Sequence, residues 1–204
     1  MGNSQQQQPY VLIDQPTPPP DISKKIVVCI DGDRHVGKST IEHRLRGIKP
    51  TEPFVQAFPE PFFRFNKPSK MPNINVWCID GSIRFREPPS PRTNRSAQVY
   101  IFPFDLTSRK TYALAKNRIE SIKADCNMKP KVPVEFLLIE NKLDCENGGV
   151  DGALGSRREV PENEAAEWAY ANGVFYMEAS AKTDPPEIFI AKLEEVIDKL
   201  KLSP

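Results

Sequence analysis

The sequence predicts an α/β fold, in which a mostly parallel sheet carries helices on both faces. Short apolar segments rich in β-branched residues alternate along the chain with longer segments of helical periodicity. This alternation is typical of βαβ units, because two parallel strands of one sheet need a long crossover connection, usually a helix. A glycine-containing loop follows the first strand and precedes the first helix. Since ligands of such sheets bind beyond the carboxyl ends of the strands, we expect the functional site at that edge.

The composition predicts a tail and one folded domain. The 204 residues, 39% hydrophobic and 27% charged, fit one soluble domain with a modest appendage. Residues 1–24 combine a glutamine run with a proline cluster and show no sustained periodicity. Because such a segment buries too little apolar surface to offset its ordering entropy, we expect a disordered N-terminal tail. The predicted folded domain spans residues 25–202.

The first half of the domain begins with a strand, a loop and a helix. The strand is predicted in "KKIVVCI" and the helix in "STIEHRLRG", which closes on Gly47. Two further strand-like segments, "EPFFRFN" and "NINVWCID", are separated by turn residues typical of a hairpin. The segment 81–97 contains several prolines, which lack the amide hydrogen that a regular helix needs, and is predicted to be an irregular loop.

The second half repeats the alternation of strands and helices. Strands are predicted in "QVYIFPFD", "VEFLLIEN" and "VFYMEAS". Helices are predicted in "SRKTYALAKNRIESIKADC" and in "PENEAAEWAYANG", which ends at Gly173. A last helix is predicted near the C-terminus, where apolar residues recur at near-helical spacing and Asp184 is the expected N-terminal cap.

Charge and hydropathy exclude several classes of function. A formal net charge of +1 provides no global basic field, so we expect no nucleic-acid partner. The longest apolar runs, such as "IVVCI" and "FLLI", are too short to cross a bilayer, and no charged and apolar leader opens the chain. The four cysteines lack CxxC spacing and are expected to be reduced thiols, with neither a disulfide framework nor a zinc site. These observations predict a cytoplasmic protein.

A phosphate-binding loop is predicted in "GDRHVGKST", residues 32–40. Gly32, Gly37, Lys38 and Ser39 match the pattern G-x-x-x-x-G-K-[ST]. The glycines allow backbone amides to turn toward phosphates, the lysine ammonium reaches their outer oxygens, and the serine hydroxyl is suited to magnesium. The pattern by itself fits an adenylate kinase as well as a GTPase, so the base must be identified elsewhere.

Two polar segments at the ends of later strands identify the base. "NKLD", residues 141–144, follows one predicted strand, and "ASAK", residues 179–182, ends the next. Alone, "NKLD" also fits a polar turn. Together with the phosphate loop, these segments resemble the motifs of the Ras superfamily of small GTPases, and within it the Rab branch. The similarity covers residues 25–202 and implies the three-layer P-loop GTPase fold, with GTP or GDP as ligand.

The resemblance assigns roles to residues in each motif. It implies that Asp144 accepts hydrogen bonds from guanine, that Asn141 supports the base site and that the stem of Lys142 lies along the ring. Ala181 supplies an amide to the guanine O6, and Ser180 and Lys182 complete that motif. The phosphate-binding residues implied by the family pattern are Gly32, Asp33, Arg34, His35, Val36, Gly37, Lys38, Ser39, Thr40 and Gly81.

The sequence departs from the family pattern at the positions used for hydrolysis. The first-switch threonine that binds magnesium corresponds to Ala57, which has no hydroxyl. The aspartate of DxxG corresponds to Cys78, a soft ligand poorly suited to a hard cation. The glutamine that orients water corresponds to Ser82, and a small phosphate-loop residue corresponds to Arg34. We therefore expect Ser39 to be a ligand in a magnesium site that Ala57 and Cys78 leave incomplete. Magnesium should then bind weakly, and the sequence assigns no catalytic residue.

Other functional interpretations remain open. Asp80 and Thr51 are alternative magnesium ligands, and Arg34 is an alternative arginine finger in cis. The first hypothesis is a guanine-nucleotide-binding protein with reduced or absent GTP hydrolysis that acts through partners. The alternatives are an active GTP/GDP switch in vesicle or organelle traffic, and a nucleotide-free interaction module.

Protein partners are expected at the switch region and the surface, with recruitment to a membrane or complex through them. Four phenylalanines in or beside the first switch form a candidate docking patch: Phe54, Phe58, Phe62 and Phe63. The chain ends "DKLKLSP", without a cysteine for prenylation. Gly2 stands where myristoylation occurs, but Gln6 replaces the usual serine or threonine, so we expect no lipid anchor.

Overall fold

The structure is a computed structural model that describes most of the predicted domain. The described residues are 25–49, 63–64, 73–79, 97–128, 133–146 and 158–202. The predicted tail lies outside these ranges, as do most of residues 50–96, which include the predicted switch positions Ala57 and Ser82.

A six-stranded sheet forms the centre of the molecule. Its strands are β1 Lys25–Ile30, β2 Phe63–Arg64, β3 Asn73–Cys78, β4 Val99–Asp105, β5 Glu135–Asn141 and β6 Phe175–Glu178. The strand order is β2-β3-β1-β4-β5-β6. Only β2 runs antiparallel to its neighbour, β3, which confirms the predicted hairpin pairing and the mostly parallel sheet.

The four described helices follow the predicted order. They are α1 Lys38–Leu45, α2 Arg109–Met128, α3 Glu162–Ala171 and α4 Pro186–Leu202, and a short 3₁₀ helix spans Leu143–Cys145. Within the described part of the chain, none of the helices combines the length and the apolar character needed to span a membrane.

Two apolar cores on opposite faces of the sheet produce three layers. Ile26, Val28 and Ile30 of β1 pack with α1 and α4, whereas Val27 and Cys29 pack on the other face with α2 and α3. Strands β4 and β5 are buried along almost their whole length because helices cover both of their faces. The predicted fold, an α/β sheet with helices on both faces, is confirmed.

The ends of three helices test the predicted boundary residues. Gly47 has a φ of 81° and Gly173 a φ of 61°, the left-handed conformation that glycine adopts at helix C-termini, so both predicted ends are confirmed. The predicted cap at Asp184 is wrong. Helix α4 begins two residues later, at Pro186, and the Asp184 Oδ2 atom accepts a hydrogen bond from the backbone N–H of Ser180 at 2.8 Å.

Candidate functional site

Four chain segments meet at the carboxyl edge of the sheet and carry the predicted site residues. The loop 31–37 follows β1, Cys78 is the last residue of β3, Lys142 follows β5, and the segment 179–182 follows β6. Because these strands are parallel members of one sheet, their carboxyl ends lie at the same edge. The fold therefore assembles residues that are about 150 positions apart in the sequence.

The loop between β1 and α1 is turned by two residues with positive φ. His35 has a φ of 61° and Gly37 a φ of 96°. A Cβ atom on Gly37 would lie 2.2 Å from Asn141 Nδ2, so a larger residue there must displace the Asn141 side chain. Such turns direct successive backbone N–H groups to one side, and the N-terminus of α1 adds its own N–H groups. This geometry suits a phosphate group.

The first residue of α1, Lys38, is held against this loop. Its Nζ atom donates hydrogen bonds to the carbonyl oxygens of Gly32, at 3.1 Å, and Asp33, at 2.6 Å. Lys38 is only 9% exposed. The ammonium charge therefore lies beside the loop whose N–H groups form the anion site, where it favours phosphate binding.

The other predicted phosphate-site residues lie along the same loop and the first turn of α1. Arg34, His35 and Ser39 are exposed, whereas Val36 is buried and Thr40 is partly buried. The exposed Arg34 adds a cation at the outer side of the loop. The predicted residue Gly81 lies outside the described residues.

Asn141 connects the phosphate loop to the predicted base-binding loop. Its Nδ2 atom donates a hydrogen bond to the carbonyl oxygen of Val36 at 2.7 Å, and its Oδ1 atom accepts one from the backbone N–H of Ala181 at 2.9 Å. The residue is 2% exposed. Both ends of one amide are thus used to fix the relative positions of two loops, as a supporting role for the base site requires.

Asp144 faces the segment after β6. Its Oδ1 atom accepts a hydrogen bond from Ser180 Oγ at 2.6 Å, and its Oδ2 atom lies 4.0 Å from Lys182 Nζ. A carboxylate held in this way has a fixed orientation and retains lone pairs for the N–H groups of a base. Lys182 is largely exposed, with 62% of its side chain accessible.

Lys142 is the only non-glycine residue besides His35 with a positive φ in the described part of the chain, at 71°. Its Nζ atom forms an ion pair with Asp105 Oδ2 at 2.6 Å. Asp105 Oδ1 also accepts hydrogen bonds from the backbone N–H and the hydroxyl of Thr107. The end of β4 therefore orients the lysine stem that the family resemblance places along the guanine ring.

Sequence reasoning missed two residues that hold the segment after β6. Asp184 accepts the Ser180 N–H, and Arg44 of α1 donates from Nε to the carbonyl oxygen of Ala181 at 2.8 Å. The aspartate was predicted as a helix cap because its position before prolines fits that role equally well. Arg44 carried no signal, because its target lies 137 residues away in the sequence.

Of the two described donors at the predicted magnesium site, one is an oxygen ligand and the other is a thiol. Ser39 offers a hydroxyl, and Cys78 offers a partly buried thiol at the end of β3, where it pairs in register with Ile30. Magnesium requires oxygen ligands in near-octahedral geometry, and a thiol is a soft ligand. Among the described residues, no cluster of three or more histidine, cysteine or acidic residues is suited to a metal ion. The predicted positions Ala57 and Ser82, and the alternatives Thr51 and Asp80, lie outside the described residues.

A buried charge cluster lies behind the base-binding segment. Glu140, which is fully buried, accepts a hydrogen bond from Tyr176 Oη at 2.6 Å and pairs with Arg158. Arg158 also pairs with Glu146 at 2.9 Å and with Glu178 at 3.6 Å. Burial, together with the neighbouring carboxylates, raises the pKa of Glu140 to about 7. The cluster joins the residues before and after "NKLD" to Arg158, in the segment before α3, and to β6.

Comparisons with known proteins agree with this architecture. A family model described as the Ras family matches residues 25–198. The chain is 27% identical over 188 residues to "Ras-related protein Rab-18-B" of Danio rerio, covering 90% of this chain and 83% of the relative. It is 27% identical over 177 residues to "Ras-related protein Rab-2B" of Dictyostelium discoideum, covering 85% of this chain and 81% of the relative. The matched range begins at the first residue of β1 and ends within α4.

Proposed function

The chain belongs to the Ras family, and from this premise we propose that it binds GTP or GDP while hydrolysing GTP slowly or not at all. The family membership makes it a Ras-like and Rab-like GTP-binding domain. The finer claim, retention of the nucleotide without efficient hydrolysis, rests on the chemistry of particular residues.

The observation that carries the proposal is the position of Cys78. It ends β3 beside Ile30, the last residue of β1, and thus lies next to the start of the phosphate loop. The family pattern places the magnesium-supporting aspartate of DxxG at this position. A partly buried thiol here does not replace a hydrated carboxylate. The nucleotide-binding loops next to it retain the residues that their chemistry needs.

Three further residue types support the loss of hydrolysis. Ala57 has no hydroxyl for a metal or a γ-phosphate, and Ser82 is too short to orient the attacking water. Arg34 adds a bulky cation beside the site of the terminal phosphate. Positive charge favours binding of a polyphosphate, whereas hydrolysis needs a positioned water as well.

Rab-like GTPases act through protein partners, and we extend this role to the chain. In this proposal the bound nucleotide stabilises the loops after β1, β5 and β6, and partners recognise the resulting surface. The proposed location is the cytoplasm, with recruitment to a membrane or complex through those partners. Nucleic acid has no part in this proposed function.

Two measurements on the purified protein test nucleotide binding. The protein is first denatured and the released nucleotide identified by chromatography, after preparation with magnesium or with EDTA. Thermal unfolding is then measured with added GDP, GTP or ATP, since a ligand that binds only the folded state raises the melting temperature. We expect a bound guanine nucleotide, stabilisation by GDP and GTP but not ATP, and little dependence on magnesium.

Each alternative function gives a different result in these measurements. If the purified protein contains no nucleotide and its melting temperature does not change with GDP, GTP or ATP, the proposal is overturned in favour of a nucleotide-free interaction module. Binding that requires magnesium, together with different protease-cleavage patterns in the GTP and GDP forms, favours an active switch. Only the second result also contradicts the incomplete magnesium site.

A further inference from the structure

An acidic residue is buried directly before the phosphate loop. Asp31 follows the last residue of β1 and is only 2% exposed. An ionised carboxylate in such a place is costly unless hydrogen bonds and an opposite charge compensate it. Its position also matters electrostatically, because a negative charge beside a phosphate site opposes the binding of phosphates.

The backbone N–H and both carboxylate oxygens of Asp31 have partners. Its backbone N–H donates to the carbonyl oxygen of Ile101 in β4 at 3.0 Å. Its Oδ1 atom accepts a hydrogen bond from the backbone N–H of Gly32 at 2.7 Å. Its Oδ2 atom accepts one from the guanidinium of Arg118 in α2, which forms an ion pair with it. Arg118 is thus the opposite charge that this site requires.

The contacts of Asp31 continue to the cation of the phosphate site. Gly32, whose N–H binds Asp31, offers its carbonyl oxygen to Lys38 Nζ at 3.1 Å. Gly32 also lies close to β4, because a Cβ atom there would be 2.9 Å from the carbonyl oxygen of Pro103 and would not fit without a shift. A continuous series of contacts therefore runs from Arg118 through Asp31 and Gly32 to Lys38.

We propose that Arg118 is a positioning residue for nucleotide binding, which fixes the first turn of the phosphate loop through Asp31 and neutralises its charge. The proposal rests on the proposed nucleotide binding and adds that the α2 helix controls the rate of nucleotide release. Arg118 itself need not touch the nucleotide. Without its guanidinium, the buried carboxylate is left uncompensated beside the phosphates, and the Gly32 peptide loses its fixed orientation.

The experiment compares GDP release from four forms of the full chain. The variants are Arg118→Met, the double variant Arg118→Met with Asp31→Asn, and the control Arg109→Met. Arg109 lies on the same helix and forms an ion pair with Glu164 at 2.8 Å, away from the phosphate loop. The protein is loaded with a fluorescent GDP analogue, and the dissociation rate constant is measured after addition of excess GDP. The melting temperature of each GDP-loaded form is measured in parallel.

Arg118→Met is expected to speed GDP release about tenfold or more, because it leaves a buried charge unpaired. The double variant is expected to restore most of the slow release, since an asparagine Oδ1 can still accept the Gly32 N–H and carries no charge. Arg109→Met is expected to release GDP at the unmodified rate even if its melting temperature falls. If Arg118→Met does not fold, Arg118→Gln, which removes the charge but keeps a hydrogen-bond donor, serves in its place and is expected to speed GDP release. Arg118→Lys, which keeps the charge, is expected to release GDP at close to the unmodified rate.

Several outcomes overturn the inference. Unchanged release from folded Arg118→Met does so, as does a double variant that releases GDP as fast as the single one. Equal acceleration by Arg109→Met assigns the effect to general destabilisation of α2. Rapid GDP release from Arg118→Lys would show that a positive charge at position 118 is not enough to slow release. Failure of the unmodified chain to bind GDP is a separate result, because it rejects the proposed function before any variant is compared.

Discussion

Asn141 and Asp144, three residues apart, have different roles in the base site. The amide of Asn141 donates one of its two N–H groups to the carbonyl oxygen of Val36 and accepts the N–H of Ala181 at its oxygen, so it holds two loops together. Asp144 is oriented by Ser180 and Lys182 and presents a carboxylate, which only accepts hydrogen bonds when ionised. We propose that the aspartate recognises the base and that the asparagine supports the loops.

The first prediction concerns the choice of base. Asp144→Asn is expected to weaken GDP binding on the order of 100-fold or more, because an amide donor then faces a donor on guanine. The same variant is expected to bind xanthosine diphosphate, whose ring carries a carbonyl oxygen where guanine carries the amino group. Calorimetric titration with both nucleotides measures this change in preference.

The matched control for this prediction is Glu146→Gln. Glu146 lies two residues after Asp144 and pairs with Arg158 rather than with the predicted base site. We expect it to leave the preference for GDP unchanged. Unaltered GDP affinity of Asp144→Asn would place guanine recognition elsewhere.

The second prediction concerns the shape of the phosphate loop. Gly37→Ala is expected to abolish measurable GDP binding, because its methyl group collides with Asn141 Nδ2 and its φ of 96° disfavours alanine. Gly47→Ala is the control, since Gly47 also has a positive φ, 81°, but nothing lies within 4 Å of its Cβ position. We expect it to cost about 1 kcal/mol of unfolding free energy and to bind GDP normally. Thermal unfolding with and without GDP separates the two effects; equal GDP binding by both variants would contradict the prediction.

At the scale of elements, the site depends on how loops are fixed at the ends of strands. The loop after β6 is held by Asp184 from the segment before α4 and by Arg44 from α1. The alternation of strands and helices was enough to predict which loops share one edge of the sheet. It did not reveal these two side chains, because their backbone targets become neighbours only after the helices pack on the sheet.

The third prediction concerns this loop. Asp184→Ala is expected to weaken GDP binding about tenfold, because the Ser180 N–H loses a charged acceptor and the adjacent Ala181, which Asn141 and Arg44 also hold, is fixed less firmly. The melting temperature without nucleotide is expected to fall only slightly. Glu195→Ala serves as the control, since Glu195 forms an exposed pair with Lys192 within α4. If Asp184→Ala binds GDP with the Kd of the unmodified protein, Asp184 has no role in holding this loop for nucleotide binding.

At the scale of the whole molecule, two apolar cores and one charged cluster determine stability. The cores follow from hydrophobic periodicity, so the three-layer fold was predictable from the sequence. The cluster of Glu140, Arg158 and Tyr176 was not, because its members come from two strands and a segment before α3. A glutamate directly after the apolar run "FLLI" was its only sign in the sequence.

The fourth prediction is a dependence of stability on pH. The pKa of Glu140 is about 7 in the folded protein, above its ordinary value of 4.5, because burial disfavours the charged form. Between these values the folded state holds a proton on Glu140 that the unfolded state has released. The stabilisation that Glu140 contributes is therefore complete below pH 4.5 and is lost as pH rises to about 7. The expected loss in unfolding free energy is on the order of 1 to 3 kcal/mol. Denaturant unfolding from pH 4.5 to pH 8 measures it.

Glu140→Gln is expected to remove most of this slope, because glutamine does not titrate. In the control Glu164→Gln the slope should remain, since a hydrogen bond from Arg109 lowers the pKa of Glu164 and places its titration below this range. A slope that persists unchanged in Glu140→Gln would assign the pH dependence to other groups.

The sequence was more informative about the motifs that are predicted to bind the nucleotide than about the contacts that hold those motifs in place. Phosphate and base motifs are short and local, because the backbone turn and the side chains that use it are adjacent in the chain. The contacts that fix them, such as Asn141 with Val36 and Arg118 with Asp31, join residues 105 and 87 positions apart. Their partners are therefore visible only in the folded protein.

The central claim is that the protein retains GTP without hydrolysing it efficiently, and a single-turnover assay tests it most directly. The protein is loaded with GTP, freed of excess nucleotide and incubated with magnesium; samples are then denatured and the bound nucleotide identified by chromatography. Intrinsic hydrolysis by Ras proceeds on the order of 10⁻⁴ per second, which provides the reference rate. We predict that GTP stays intact and bound over several half-lives of that reaction. Conversion of bound GTP to GDP at the reference rate or faster would contradict the account.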